Sequence, residues 1–240
     1  MEIALLLPCR NESGNLKELV QGIVTGCDNL NISGRIILCE GNSTDNTWEV
    51  CLDIANNFTN RVLIVKQPGK GKFDAIMSGA RLYPADYYVV WDSDNTIDLD
   101  SGFNLLKKAI LRPNDVFVGN RFHEKLDVLA MPKTRQFGNH LLSFMWKFTF
   151  TKSVPDLLCG LKGFPLRLVN LVDSVHIKND FYGDLTFLEL AHKHGFRVHS
   201  LAVKYSPRSY GSTNITFLKG GSRILRSFFM SLIHFWLYRK

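Results

Sequence analysis

Two carboxylates, Asp92 and Asp94, stand one residue apart at the end of the run Tyr87-Tyr88-Val89-Val90-Trp91. Such a run of β-branched and aromatic residues predicts a buried strand. Positions i and i+2 of a strand point to the same side. The spacing therefore predicts that both carboxylates converge on one point at the strand end, where open α/β sheets bind their ligands. Like charges forced together repel unless a cation lies between them. Mg2+ is usually held by one or two carboxylates plus substrate phosphates, so a divalent ion gripping a diphosphate is the chemistry this pair suggests. Ser93, Asp94 and Asn95 also favour turns, and an Asx-rich turn capping the next helix is the structural alternative.

The elements that must position this pair follow a regular alternation. Ile3 to Leu7 is a continuous apolar run, as expected of a strand covered on both faces, and Pro8 ends it. The loop Arg10 to Asn15 leads to a helix with Leu16, Leu19, Val20 and Ile23 at amphipathic spacing. Strand Arg35 to Cys39 is followed by the polar loop Glu40 to Thr47 and a helix, and strand Val62 to Val65 by Gln67-Pro68-Gly69-Lys70-Gly71-Lys72 and a helix from about Phe73. A β-loop-α unit recurring every roughly 30 residues predicts a parallel sheet with helices on both faces. All the polar loops then gather on one sheet edge. Lys70 and Lys72 lie on that edge and are read as close to phosphate.

Further along, helix Leu99 to Leu111, strand Val116 to Val118 and helix Met131 to Phe150 are expected. The glycine-punctuated segment Asp156 to Phe164 precedes a short helix, Asp184 opens another, and Phe196 to Val203 alternates like a strand. The last helix, from about Gly221, is expected to present Leu225, Phe228, Phe229, Leu232, Phe235 and Trp236 on one face. Arg223, Arg226, Arg239 and Lys240 flank it. Such a helix is either an interfacial membrane anchor or the packing surface for the domain or a second subunit.

Hydrophobic residues make up 45% of the 240 positions and charged residues 21%, which is ordinary for one globular domain with a real core. The net charge of +7 is unevenly placed: no Asp or Glu follows Glu189, while Lys and Arg occur nine times from Lys193 to Lys240. An anionic partner for the C-terminal part is implied. The five cysteines form an odd set without C-x-x-C spacing and read as reduced and buried in a cytosolic protein. The short apolar start lacks a basic leader, and no stretch reaches the length of a spanning helix. Gly69-Lys70-Gly71-Lys72 is followed by Phe73 and fails the P-loop pattern. The first loop lacks G-x-G-x-x-G, which argues against a dinucleotide fold. It also carries the single Gly14, against the glycine-rich loop usual in nucleotidyltransferases.

The ordered motifs resemble family 2 glycosyltransferases of the GT-A fold, especially the branch similar to dolichyl-phosphate mannose synthase. Pro8-Cys9-Arg10-Asn11-Glu12, Glu40 to Thr47, and Gly69 to Lys72 with Ala75 and Gly79 carry the resemblance. Asp92-Ser93-Asp94 looks like its DXD metal motif; Gly119-Asn120-Arg121, Arg135 to Asn139, Asp156 to Gly160 and Arg208 to Ser212 follow in order. Cys39 and Gly183-Asp184 depart from it, at positions where relatives commonly show an Asp and an E-D pair.

The resemblance implies an α/β GT-A fold over residues 1–215, with a nucleotide-sugar half to 121, an acceptor half from 122, and a basic amphipathic helix over 216–240. It implies an inverting hexosyltransferase that uses a nucleotide-diphosphate-sugar donor. Pro8, Arg10, Glu12 and Glu40 would border the nucleoside, and Asp92 and Asp94 would hold Mg2+ or Mn2+. Arg121, Arg135 and Arg208 would grip phosphates, Arg135 that of the acceptor. Asp94, Asp184 and Arg135 are the catalytic candidates. A polyprenyl phosphate acceptor needs no general base, whereas a glycan hydroxyl needs one, and Asp184 is the candidate. The expected place is the cytoplasm, peripheral to the inner face of the cytoplasmic membrane, with homodimerisation open and no nucleic acid bound. The alternatives are transfer to a glycan hydroxyl in cell-surface polysaccharide synthesis and, in another class, a non-enzymatic binder of an anionic polymer.

Overall fold

The computed structural model of the chain describes residues 1–123, 126, 129–150, 154–172, 174–211 and 217–237. Ser212, Arg239 and Lys240 lie outside the described residues. β1 (Ile3–Cys9), α1 (Leu16–Asn29), β2 (Arg35–Glu40), α2 (Thr47–Asn57) and β3 (Val62–Lys66) step outward in one direction. α3 (Lys72–Leu82) returns the chain to the far side of β1, where β4 (Tyr87–Val90) pairs with it in parallel. α4 (Leu99–Leu111), β5 (Val116–Asn120), α5 (Lys133–Phe150), β6 (Lys162–Pro165) and α6 (Leu166–Val169) follow. α7 (Ser174–Asn179), α8 (Asp184–Lys193), β7 (Val198–Ala202) and α9 (Phe217–Leu237) complete the described elements.

The sheet runs β3-β2-β1-β4-β6-β5-β7 and is parallel except for β6, which is antiparallel to both β4 and β5. Its two faces carry two apolar cores, as the period of two dictates. Ala4, Leu6, Tyr88 and Val90 pack with α3, α5, α8 and α9 on one side, while Leu5, Leu7, Tyr87 and Val89 pack with α1, α2 and α4 on the other. The expected mostly parallel α/β sheet is borne out.

Three expectations are corrected. β4 ends at Val90, so Asp92 and Asp94 lie in the turn beyond the strand and not on it. The segment Asp156 to Phe164 ends in a buried strand, β6. Its Gly163 hides that strand from sequence patterning, yet is required there, because a Cβ would lie 2.8 Å from Tyr87 Cε1 and 2.9 Å from Leu105 Cδ2. Finally, the apolar residues of α9 do not share one face. Phe228 is buried, and Leu232 and Phe235 pack against the core. Leu225, Phe229 and Trp236 are exposed. The inner side is taken up by α8, through His234 and Glu189 at 2.6 Å, and by α5, through Trp146 against Phe228 and Phe150 against Phe235.

The five cysteines are free and buried. No helix among the described residues is long and apolar enough to cross a membrane.

Candidate functional site

β1 sends its crossover toward β2, while β4 sends its own toward the β6-β5-β7 side. The loops leaving their C-terminal ends therefore diverge and open a crevice, the place where such sheets bind ligands. A cleft of about 240 Å3 lies there. Its anionic lining is Glu12, Asp92, Asp94 and Asp184, and its cationic lining is Arg10, Lys72, Arg121, Arg135 and Arg208.

The turn after β4 brings the two aspartates to this cleft. Ser93 pins it by donating its hydroxyl to the Pro8 carbonyl at 2.8 Å. Asp94 Oδ1 accepts from the Thr96 hydroxyl at 2.7 Å and the Thr96 amide at 3.3 Å, closing an Asx turn with Asn95 at φ 55°. The turn does not cap the next helix, since Asp98 caps α4 through the Ser101 amide. Gly160 gives Asp92 its room: a Cβ there would lie 1.7 Å from Asp92 Oδ2.

Each aspartate faces its own cation. Lys72 Nζ is 2.5 Å from Asp92 Oδ1. Burial opposes the charge on Asp92, yet Lys72, with Lys162 and Arg121 farther off, outweighs it and holds the carboxyl below its ordinary value. Lys72 opens α3 directly after Gly71, whose φ of +97° and approach to the Phe181 carbonyl exclude a side chain. Arg208 donates to Asp94 Oδ2 at 2.9 Å and to Glu12 Oε1 at 2.7 Å. Burial raises the Glu12 carboxyl, and Arg208 and Asn15 offset only part of that. The loop bearing Arg208 is tied down again by Tyr210, which hydrogen-bonds Ser13 and covers Gly14.

Two carboxylates beside cations, with no imidazole in the lining, suit a hard ion whose other ligands are phosphate and water oxygens. Cys9 and Cys39 also line the cleft, but the first by its contact with Cys51 and both by burial are kept as neutral thiols. Among the described residues no group of three or more His, Cys, Asp or Glu is arranged to hold a metal. The pair therefore fits Mg2+ or Mn2+ together with a ligand that brings oxygens of its own.

Of the residues expected from sequence, Pro8, Arg10, Glu12, Lys72, Asp92, Asp94, Arg121, Arg135, Asp184 and Arg208 meet around this one cleft. Glu40 and Lys70 do not line it. Glu40 is buried, with Oε1 accepting from the Ser43 amide at 2.6 Å, and Lys70 stands exposed.

Two supporting residues carry no assigned role in the sequence reading. Asp156 is fully buried and holds Arg121 through Nε at 2.6 Å and Nη2 at 2.7 Å, while Asn139 donates to it at 2.6 Å. Lys162, 2% exposed, donates to the Cys159 carbonyl and lies 2.6 Å from Asp184 Oδ1. A lysine inside the apolar run Leu161 to Pro165 was the available signal, because a charge so placed must be paired.

A match to the family described as Glycosyl transferase family 2 spans residues 5–169. Undecaprenyl-phosphate 4-deoxy-4-formamido-L-arabinose transferase of Proteus mirabilis is 22% identical over 221 residues, covering 91% of this chain and 64% of that protein. The chain thus spans less than two thirds of the length of that relative. An uncharacterized protein of Methanocaldococcus jannaschii is 23% identical over 239 residues, covering 97% and 93%. Among solved structures, mannosyl-3-phosphoglycerate synthase from Rubrobacter xylanophilus superposes with a TM-score of 0.68 at 13% identity, covering all of this chain and 76% of that one. Glucosyl-3-phosphoglycerate synthase from Mycobacterium tuberculosis, in complex with Mn2+, uridine diphosphate and phosphoglyceric acid, gives 0.67 at 14% identity, covering 96% and 78%. These likenesses establish the GT-A fold.

Proposed function

The chain belongs to glycosyl transferase family 2, and on that premise we propose that it transfers a sugar from a nucleotide-diphosphate-sugar to a polyprenyl phosphate at a membrane. The observation that carries the reading is the cleft itself, in which Asp92 and Asp94 stand among Lys72, Arg121, Arg135 and Arg208. Asp92 and Asp94 would hold Mg2+ or Mn2+, which supplies positive charge against the diphosphate as it leaves. The structural neighbour with bound Mn2+ and uridine diphosphate supports that choice of ion and donor class. Lys72 and Arg208 face the same leaving group and stabilise the charge that develops on it. Pro8, Arg10 and Glu12 border the nucleoside, with residues to 121 forming the donor half and residues 122–215 the acceptor half.

The setting of Asp184 supports a phosphate acceptor. Its carboxylate is already engaged by the buried Lys162 at 2.6 Å. A phosphate acceptor brings an oxygen that is already anionic near neutral pH. Arg135 then grips the acceptor phosphate, and Arg121, fixed by Asp156, adds a second fork. The arabinose transferase relative, whose name places undecaprenyl phosphate in its reaction, agrees with this. Transfer to a glycan hydroxyl is the competing reading, since Asp184 does line the cleft. A mere binder of anionic polymers leaves the aspartate pair without a role.

The test is a thermal-shift screen of nucleotide sugars with and without Mn2+, followed by transfer assays on prenyl phosphates and on glycans with the donor so found. Transfer to prenyl phosphate alone is expected. Transfer to glycans alone overturns the acceptor assignment.

A further inference from the structure

α5 buries Asn139, Leu142, Trp146 and Phe150. On its opposite side Phe137, Leu141, Phe144 and Phe148 recur at helical spacing, 70%, 47%, 60% and 71% exposed. α9, which packs on α5 through the Trp146–Phe228 and Phe150–Phe235 ring contacts, carries a second stripe: Leu225, Phe229, Ile233 and Trp236, each about half exposed. Exposed apolar surface on this scale marks an interaction face.

The charges on the same helices say which kind. Neither helix contains an acidic residue, and Lys133, Lys147, Arg223 and Arg226 are exposed. A twofold pairing of this face with a second copy would set like charges against like. A flat anionic surface answers both features, because aromatic stripes bordered by lysine and arginine are what interfacial helices present to lipid. α5 also reaches the cleft: Arg135, in its first turn, lines it.

We infer that the outer face of α5, and not α9 alone, docks the protein on an anionic lipid leaflet and sets the mouth of the cleft against it. The inference deepens the membrane-acceptor reading above and rests on it for its purpose, though not for its surface chemistry.

The full chain is tested by co-sedimentation with vesicles of phosphatidylethanolamine and phosphatidylglycerol, against vesicles of phosphatidylcholine alone. The double variant Phe144→Ser/Phe148→Ser, altered at exposed positions, is expected to melt like the parent and bind the anionic vesicles at least tenfold more weakly. Lys147→Glu is expected to weaken binding roughly fivefold or more and to erase the preference for anionic lipid. Equal vesicle binding by parent and α5 variants overturns the inference, as does failure of the parent to bind. A parent dimer in sedimentation velocity that the same substitutions dissolve also overturns it, by assigning the face to a second copy. Transfer to a short, water-soluble prenyl phosphate without vesicles separates the two claims. The α5 variants keep it if the acceptor reading holds, and its absence in the parent removes that reading while the vesicle result still decides the role of α5.

Discussion

Lys162 sets its ammonium 2.6 Å from the Asp184 carboxylate, with the two side chains 2% and 13% exposed. Removing one partner of so buried a pair strands the other charge, which typically costs about 3–5 kcal/mol. Lys162→Met should therefore lower the urea midpoint strongly, and Lys162→Met/Asp184→Leu should recover much of the loss. A double variant no more stable than the single one would show that Lys162 contributes through its stem packing and not through the pair.

The Arg121–Asp156 pair should be visible in the acid limb of stability. Burial pushes the Asp156 carboxyl up, but Arg121 and then Asn139 outweigh it, so its folded value lies below the ordinary one. A depressed folded value means that the contribution is complete above the unfolded pKa of about 3.9 and is lost as pH falls through the folded value. Asp156→Asn should lower stability at neutral pH and flatten the fall below about pH 4. Urea midpoints measured across that range check it; two curves that stay parallel would contradict it.

Gly160 offers a test of the aspartate pair that leaves both carboxylates in the chain. A Cβ at this position falls on Asp92 Oδ2, so Gly160→Ala must push that carboxylate from its place. The expected result is a loss of Mn2+-dependent nucleotide affinity approaching that of Asp92→Asn or Asp94→Asn, with the unfolding midpoint much less affected. Titration of uridine or guanosine diphosphate with and without Mn2+ reads it directly. Unchanged Mn2+ dependence in Asp92→Asn and Asp94→Asn would remove the metal role from this pair.

The first half of the fold could be read from sequence because its strands are uninterrupted apolar runs and its turns are polar. β2 and α4 fall within a residue of their expected limits, while β1 runs on through Pro8, expected to end it, to Cys9, still paired with β2. β6 was hidden because a glycine and a lysine interrupt a short buried run, and both have tertiary reasons: Gly163 makes room for Tyr87, and Lys162 pairs with Asp184. α9 showed its apolar residues but not their division, since the side that α5 would cover depends on contacts about eighty residues apart in the chain. Asp92, Asp94 and Lys72 were legible as charged types after strand ends, and Pro8, Arg10, Glu12, Arg121, Arg135 and Arg208 only through the family resemblance. Their pairing was not: Arg208 meets Glu12 and Asp94 across 196 and 114 positions, distances over which no local pattern carries information.

Arg135 and Asp184, which line the same cleft, should respond oppositely to the two acceptor classes. A lipid phosphate carries charge that a guanidinium can bond with two donors at once, so its binding depends on that fork. A neutral hydroxyl gains little from the fork and depends on a carboxylate that takes its proton, typically worth about 10²–10⁴-fold in rate. With the pairing of Asp184 to Lys162, Arg135→Ala should cripple transfer to a prenyl phosphate while sparing slow donor hydrolysis, because water needs no phosphate grip. Asp184→Asn should have the smaller effect on transfer, and its loss should track stability more than rate, since the amide still reaches Lys162 but no longer neutralises it. Single-turnover assays of both variants, run beside their unfolding curves, decide the matter. A dead Asp184→Asn enzyme that stays folded, beside a normal Arg135→Ala enzyme, would make Asp184 the base and the acceptor a hydroxyl.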